Sequence, residues 1–299
     1  MLKKVIQESV DEGIRIFNER DSEEIRGFTK DLYESGYIQY LLEYHRKHPE
    51  RTIPFVFEGK SQIKAICFFH YSNDRDGWLM GMRVKKEYQR SGIAAQFTDK
   101  MTTYAREEGL EWIGLNTSFR NKSVQKICKR LQFVRNGAYH IFEFNIIILK
   151  LLKQTNKFSL CEVSENNKIE SYFKKRRIGR YLFVIDPGFI WIRLTDSILK
   201  KTIEKRSFYL FRNRIITIQK WGKNIVFNCF GKWSFIEYVD FLAQLYKELP
   251  EGAKGRIIFC VRKCDSNGIN QLYNKLASPV TLEKGDVERS NWYLYGKYL

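Results

Sequence analysis

The stretch Met82-Arg83-Val84-Lys85-Lys86-Glu87-Tyr88-Gln89-Arg90-Ser91-Gly92-Ile93-Ala94-Ala95 holds the residues best suited by type and spacing to chemistry. An apolar run precedes it and a helical pattern follows it. Gly92 and Ala94 are small, so backbone N–H groups around them can approach a ligand closely. The first turn of the following helix presents N–H donors without intrahelical partners and the positive end of the helix dipole. Together these features make a cradle for a pyrophosphate. Lys85, Lys86 and Arg90 add positive charge there. Helices that open after a glycine turn are common, so the pattern by itself names no particular ligand.

Groups able to move a proton are scattered. His70 lies on an apolar strand pattern, and Glu58, Asp76 and His140 are further candidates for a general base. Residues of these types in such places are more often structural than catalytic. No metal site is expected: of the six cysteines (67, 128, 161, 229, 260, 264) only Cys260 and Cys264 are close, and three residues between them with no nearby histidine make a poor zinc site. Scattered cysteines fit a cytoplasmic protein with reduced thiols.

The elements that must position these residues follow from periodicity and stop signals. In the first half, Gly13 to Phe17 is strand-like, and Asp21 is a good N-cap with Glu23 and Glu24 in the first helical turn. A second helix runs from Tyr37 to His48 and stops at Pro49. Phe55–Lys60 and Ile63–Tyr71 form a hairpin, followed by a strand at Trp78–Val84, a helix at Ala94–Glu108 ended by Gly109, a strand at Trp112–Thr117, a helix at Ser123–Leu131 and a long strand at Ala138–Ile148. In the second half, strands are expected at Arg214–Gln219, Asn224–Phe230, Arg256–Val261 and Trp292–Tyr298, with helices at Trp233–Leu249 and Gly268–Ala277. The order of residues 63–148 is thereby partly repeated. The fold class expected is α+β with a mixed sheet, in two domains: 1–150, and 151–299 as a second domain of the same order.

Composition bounds the function. The 299 residues are 43% hydrophobic and carry 52 Lys+Arg against 34 Asp+Glu, a formal +18, so the chain is not a disordered basic tail. Residues 1–150 carry 25 basic and 20 acidic residues and residues 151–299 carry 27 and 14, so most of the excess lies in the second half. There it is dispersed apart from Lys174-Lys175-Arg176-Arg177 with Arg180, which favours a solvated face over a nucleic-acid footprint. No apolar run approaches the roughly 20 residues of a membrane span, and Met1–Glu8 has no apolar core of a secretory signal.

Gln89-Arg-Ser-Gly92-Ile-Ala94 resembles the Gln/Arg-x-x-Gly-x-Gly/Ala signature of the GNAT acetyltransferase superfamily. The strand Trp78–Val84 and the segment Asn121-Lys-Ser-Val-Gln-Lys-Ile-Cys-Lys-Arg-Leu-Gln-Phe133 are similar to the family's neighbouring segments, and the resemblance covers about residues 12–148. It implies a GNAT fold and acetyl-CoA as cosubstrate. The backbone of Met82, Arg83 and Val84 would pair with the pantetheine arm, the amides of Gln89, Arg90, Ser91, Gly92, Ile93, Ala94 and Ala95 would hold the pyrophosphate, and Asn121 would contact the arm. An amine would attack the thioester directly, without an acyl-enzyme. In this family the second helix walls the acceptor pocket, so Tyr37, Tyr40 and Tyr44 would line it. The family's usual acid, a tyrosine, falls on Cys128, and its glycine falls on Gln132, so Cys128 is a candidate acid and His70 a candidate base. The second half lacks the signature: Phe230-Gly231-Lys232-Trp233-Ser234 stands at the corresponding turn, which implies a degenerate GNAT-like domain without acetyl-CoA, packing on the first or walling its acceptor site. The two-domain layout is also similar to the histidine N-acetyltransferase-like family. The activity implied is N-acetylation of a small amine or amino acid. The alternatives are a protein or ribosomal N-acetyltransferase, and a non-catalytic acyl-CoA sensor or nucleic-acid-binding module.

Overall fold

Described in the computed structural model are residues 13–30, 35–152, 161–162, 166–175, 182–186, 190–204, 208–211, 214–221, 223–250, 254–277 and 287–299. The elements run β1 (Gly13–Ile16), α1 (Ser22–Thr29), α2 (Ser35–Lys47), β2 (Thr52–Gly59), β3 (Gln62–Tyr71), β4 (Asp76–Val84), α3 (Ile93–Glu107), β5 (Trp112–Ser118), α4 (Lys122–Arg130) and β6 (Val134–Asn145). Then come β7 (Cys161–Glu162), α5 (Asn166–Lys175), β8 (Leu182–Asp186), β9 (Ile190–Arg193), α6 (Asp196–Glu204), β10 (Phe208–Phe211), β11 (Arg214–Trp221), β12 (Asn224–Phe230), α7 (Phe235–Glu248), β13 (Arg256–Arg262), α8 (Asn267–Ala277) and β14 (Val287–Tyr298). The element order expected for the first half is observed. Several ends differ by a few residues, β2 beginning at Thr52 and β6 at Val134, and the strand expected to reach Ile148 stops at Asn145, whose side chain accepts from Ile147 N (3.1 Å) and caps a 3-10 turn. A local side-chain bond overrides the strand preference of the isoleucine run.

The chain divides into two compact units, residues 1–135 with 295–299, and residues 136–294. The division falls ahead of the boundary expected at Lys150, because most of β6 belongs to the second unit and the chain's last residues return to the first.

In the first unit the strand order is β1-β2-β3-β4-β5, with the last residues of β14 beyond β5. Strands β1 to β4 pair antiparallel, while β4 and β5 pair parallel, joined by the crossover through α3. β3 is buried from Ile63 to His70 because both of its faces are covered. On one face α3 sets Tyr104 against Phe55 and Phe69, and Phe97 against Phe57. On the other, α2 buries Ile38, Leu41 and Leu42 and brings Tyr44 to His70.

In the second unit the order is β6-β13-β12-β11-β10-β7, with β12 and β13 parallel across α7, and β8–β9 a separate ribbon. Its core gathers Phe142, Phe144, Phe211, Phe227, Trp233, Phe241 and Phe259 with Leu242, Ile269 and Leu272 of α7 and α8. A smaller cluster joins α5 and α6 to Phe208 and Phe230.

Candidate active site

The site is made by a defect in the β4–β5 ladder. Pairing runs only from Asp76 opposite Trp112 to Leu79 opposite Leu115, and then the parallel strands part. The parting has a local cause on the other edge of β4. Ile66 stands opposite Arg83 and Phe68 opposite Met80, so Cys67 faces two residues, Gly81 and Met82. This is a β-bulge, and Gly81 takes the left-handed conformation (φ 64°) that a bulge uses. A Cβ there would also meet Leu41 of α2 at 2.6 Å and Phe68 at 2.8 Å.

Beyond the bulge the backbone of β4 turns its polar groups into the gap. Val84 stands opposite Ala65, and Lys85 donates its N–H to the Lys64 carbonyl (2.8 Å). Bonded and non-bonded pairs alternate in an antiparallel ladder, so the N–H and C=O of Val84 point away from β3. Two side chains protect this free edge. Arg83 Nη1 donates to the Met82 carbonyl (2.9 Å) and Gln89 Nε2 to the Val84 carbonyl (3.2 Å). Arg83 also lies 5.9 Å from the ring centre of Tyr37 on α2. A ligand adding to β4 as a strand must displace both donors.

The loop that follows is held in a strained form. Arg90 (φ 67°) and Gly92 (φ 92°) are both left-handed, and Ser91 Oγ donates to the Tyr88 carbonyl (2.7 Å). Gly92 is the N-cap of α3 and has no side chain to close the first turn. Ala95 and Gln96 both donate to the Gly92 carbonyl, leaving the amides of Gly92, Ile93 and Ala94 as the outward donors. Gln89, Arg90, Ser91 and Gly92 are exposed, while Ile93 and Ala95 are buried beneath them. A Cβ at Gly92 would meet nothing within 4 Å, so the space in front of the turn is open. An uncapped, open helix N-terminus fits a pyrophosphate.

Lys85 does not serve this cradle as the sequence suggested. Its Nζ donates to Glu24 Oε1 (2.7 Å) and lies over the Phe28 ring, both on α1. The cationic side chains left at the turn are the exposed Lys86 and Arg90. Asn121 is the N-cap of α4, with its Oδ1 accepting from Val124 N (3.1 Å).

The proton-transfer candidates lie in dry surroundings. Cys128 is fully buried on α4, and burial pushes its thiol up to about 12. It is therefore a neutral thiol and a weak acid. His70 on β3 is buried, with Nδ1 2.8 Å from Thr52 Oγ1. Burial first, then Arg51 and His48, bring it down to about 3. Its ring is therefore neutral throughout the neutral pH range and a weak base. His140 in the second unit is lowered to about 4 by burial, Arg289 and Lys263. Glu58 is ion-paired with Arg15, and Asp76 is buried and accepts from Asn73 Nδ2 (3.0 Å). Among the described residues no group of three His, Cys, Asp or Glu could hold a metal ion, and no helix is long and apolar enough to cross a membrane.

His70 has a measurable consequence for stability. Its folded value lies below the ordinary 6.5, so between about 3 and 6.5 the unfolded chain binds a proton that the folded chain does not. Its contribution is fully present above pH 6.5 and is lost as the pH falls toward 3. The His70→Gln variant, which keeps a partner for Thr52 but cannot charge, is expected to show a shallower fall in melting temperature between pH 6.5 and 4. Parallel curves for the two proteins would contradict this.

At the corresponding turn of the second unit the same parts are closed. The β12–β13 ladder runs unbroken from Ile225 opposite Ile257 to Cys229 opposite Val261. Ser234 and Glu237 form a capping box that satisfies the start of α7. Tyr172 of α5 donates to the Phe230 carbonyl (2.9 Å), and its OH sits 2.6 Å from where a Cβ of Gly231 would be.

Comparison with known proteins bears on the same stretch of chain. Residues 14–133 match the Acetyltransferase (GNAT) family. A protein from Thermoplasma acidophilum assigned as an acetyltransferase shares the fold with TM-score 0.55 and 16% identity, over 96% of this chain and 100% of that one. A second, from Pyrococcus horikoshii, does so with TM-score 0.52 and 13% identity, over 98% of this chain and 91% of that one. No curated protein matches the chain. The chain thus carries an acetyltransferase domain of the GNAT family over residues 14–133.

Proposed function

We propose that the first unit transfers acetyl from acetyl-CoA to a primary amine of a small molecule or amino acid, in a ternary complex. One observation carries this reading: the gap that opens past Leu79 and Leu115 lies beside the open, uncapped start of α3. The backbone of Met82, Arg83 and Val84 would receive the pantetheine arm along the free edge of β4. The amides of Gln89 to Ala95 would hold the pyrophosphate, with Arg90 and Lys86 adding charge. Asn121 would meet the arm from the start of α4, and Tyr37, Tyr40 and Tyr44 of α2 would wall the acceptor.

The neutral amine nitrogen attacks the thioester carbon, the amide C–N bond forms and the C–S bond breaks. The proton released by the nitrogen balances the one taken up by the thiolate. The reaction therefore needs no strong side-chain acid, which suits a buried Cys128 and a neutral His70 acting as weak donor and acceptor at most. We assign the second unit no acetyl-CoA, because its turn is capped by Ser234 and filled by Tyr172.

The test is release of free CoA thiol from acetyl-CoA across free amino acids, polyamines, aminoglycosides and short peptides. Turnover with an amine supports the reading; thermal stabilisation by acetyl-CoA without turnover on any of them would point to a sensor instead. In the same assay Cys128→Ala is expected to keep kcat within about tenfold of wild type, since general acids contribute about 10²–10⁴-fold where they act. A larger loss in a variant that melts normally would make Cys128 the acid.

A further inference from the structure

The acetyltransferase unit, residues 1–135 with 295–299, carries 25 Lys/Arg and 19 Asp/Glu. Six of those basic residues (Arg120, Lys122, Lys126, Lys129, Arg130 and Arg135) and none of the acidic ones stand in residues 112–135. The rest of the unit is therefore balanced, and its whole excess is gathered on and around α4. All six are exposed. On a helix of 3.6 residues per turn, Lys122, Lys126, Lys129 and Arg130 share one face. The opposite face carries Val124, Leu131 and the buried Cys128. The stripe is a continuous cationic ridge about 12 Å long, its successive charges spaced about 6, 4.5 and 1.5 Å along the axis.

We propose that this ridge of α4 docks the phosphate backbone of a double-stranded nucleic acid. The composition of the face decides between partners. The cores of protein–protein interfaces are depleted in lysine and need apolar or aromatic anchors, and the exposed face of α4 offers Lys, Arg and Ser alone. Such a face can contribute charge and nothing else, which is what a duplex backbone takes: phosphate contacts hold a protein without reading sequence. Single strands are bound with aromatic stacking platforms, and the ridge has none. The contacts do not use the acetyl-CoA cradle, so this inference stands apart from the proposed activity.

The test uses the full chain and a fluorescent 20-base-pair RNA duplex of arbitrary sequence, with binding followed by anisotropy against NaCl. Four phosphate contacts predict a slope of log K against log[salt] near −3.6. The variant Lys122→Gln/Lys126→Gln/Lys129→Gln/Arg130→Gln should bind at least tenfold more weakly at about 50 mM salt and lose most of that slope. Its circular dichroism spectrum and melting temperature should match wild type, which shows that the unit is folded. Lys175→Gln/Lys200→Gln/Lys223→Gln/Lys254→Gln removes the same charge from exposed positions of the second unit and should leave at least half of the affinity. The proposal is overturned if the two variants lose affinity equally, if the ridge variant binds like wild type, or if polyglutamate competes with the duplex as well as unlabelled duplex does.

Discussion

Replacement of Gly92 by glutamate abolishes the thermal stabilisation that acetyl-CoA is expected to give the wild-type chain. Two effects add. The φ of 92° at this position costs a residue with a Cβ about 1–2 kcal/mol. The carboxylate also stands in front of the Gly92, Ile93 and Ala94 amides, where the pyrophosphate would lie, and like charges at a few ångströms repel strongly. The variant still folds, because a Cβ there meets nothing within 4 Å. Its melting temperature without ligand should fall by only a few degrees, while affinity for acetyl-CoA falls at least a hundredfold. Gly92→Ala isolates the backbone effect and should lose about tenfold. Equal stabilisation of the glutamate variant and wild type by acetyl-CoA would place the cofactor elsewhere.

Gly296→Val should produce the largest loss of stability. Gly296 of β14 lies against the indole of Trp112, where a Cβ would come within 2.1 Å of Cζ2 and 2.4 Å of Cε2. The indole cannot swing aside. It is fully buried, stacked on Trp78 at 6.0 Å, and the two rings already leave room only for a glycine at 114. Overpacking of this kind costs about 1–3 kcal/mol or more. For a unit of this size 3 kcal/mol corresponds to a fall of about 6–12 °C in melting temperature. Removing residues 295–299 altogether also breaks the bonds from Leu299 N to Glu111 O (3.0 Å) and from Lys297 Nζ to Leu131 O (3.0 Å). That truncation should erase acetyl-CoA stabilisation. A Gly296→Val protein melting within a degree of wild type would refute this account of the Trp112 contact.

Legibility in the sequence tracks the distance over which a feature is made. Gln89-x-x-Gly92-x-Ala94 could be read because its turn and helix start are built from neighbouring residues. The same holds for the stop at Pro49, whereas Asp21, expected to cap α1, makes no cap bond because its carboxylate accepts from Arg15 and from Asn18 N. The bulge at Gly81 and Met82 could not, since it is a mismatch with Cys67 on another strand, and Gly81 read as an ordinary strand residue. Lys85 was read as part of the cradle because its true partner, Glu24, lies 61 residues away. The burial of Cys128 follows from helical periodicity, but the resulting rise of its thiol needs the packed helix. In the second unit β8, β9 and β10 are only five, four and four residues long, so their periodicity is too brief to separate from loops.

The return of residues 295–299 to the first unit has a kinetic consequence. N-terminal domains usually fold while the rest of the chain is still being made, at about 5–20 residues per second. Here β5 and Trp112 leave the ribosome long before the strand that covers them. The acetyltransferase unit must wait on the order of 10–30 s for its last residues. Throughout that interval the edge of β5 is an open template for another strand, the situation in which aggregation and chaperone capture compete with folding. Acetyl-CoA binding, which needs the finished site, is therefore expected only once residues 295–299 have been made.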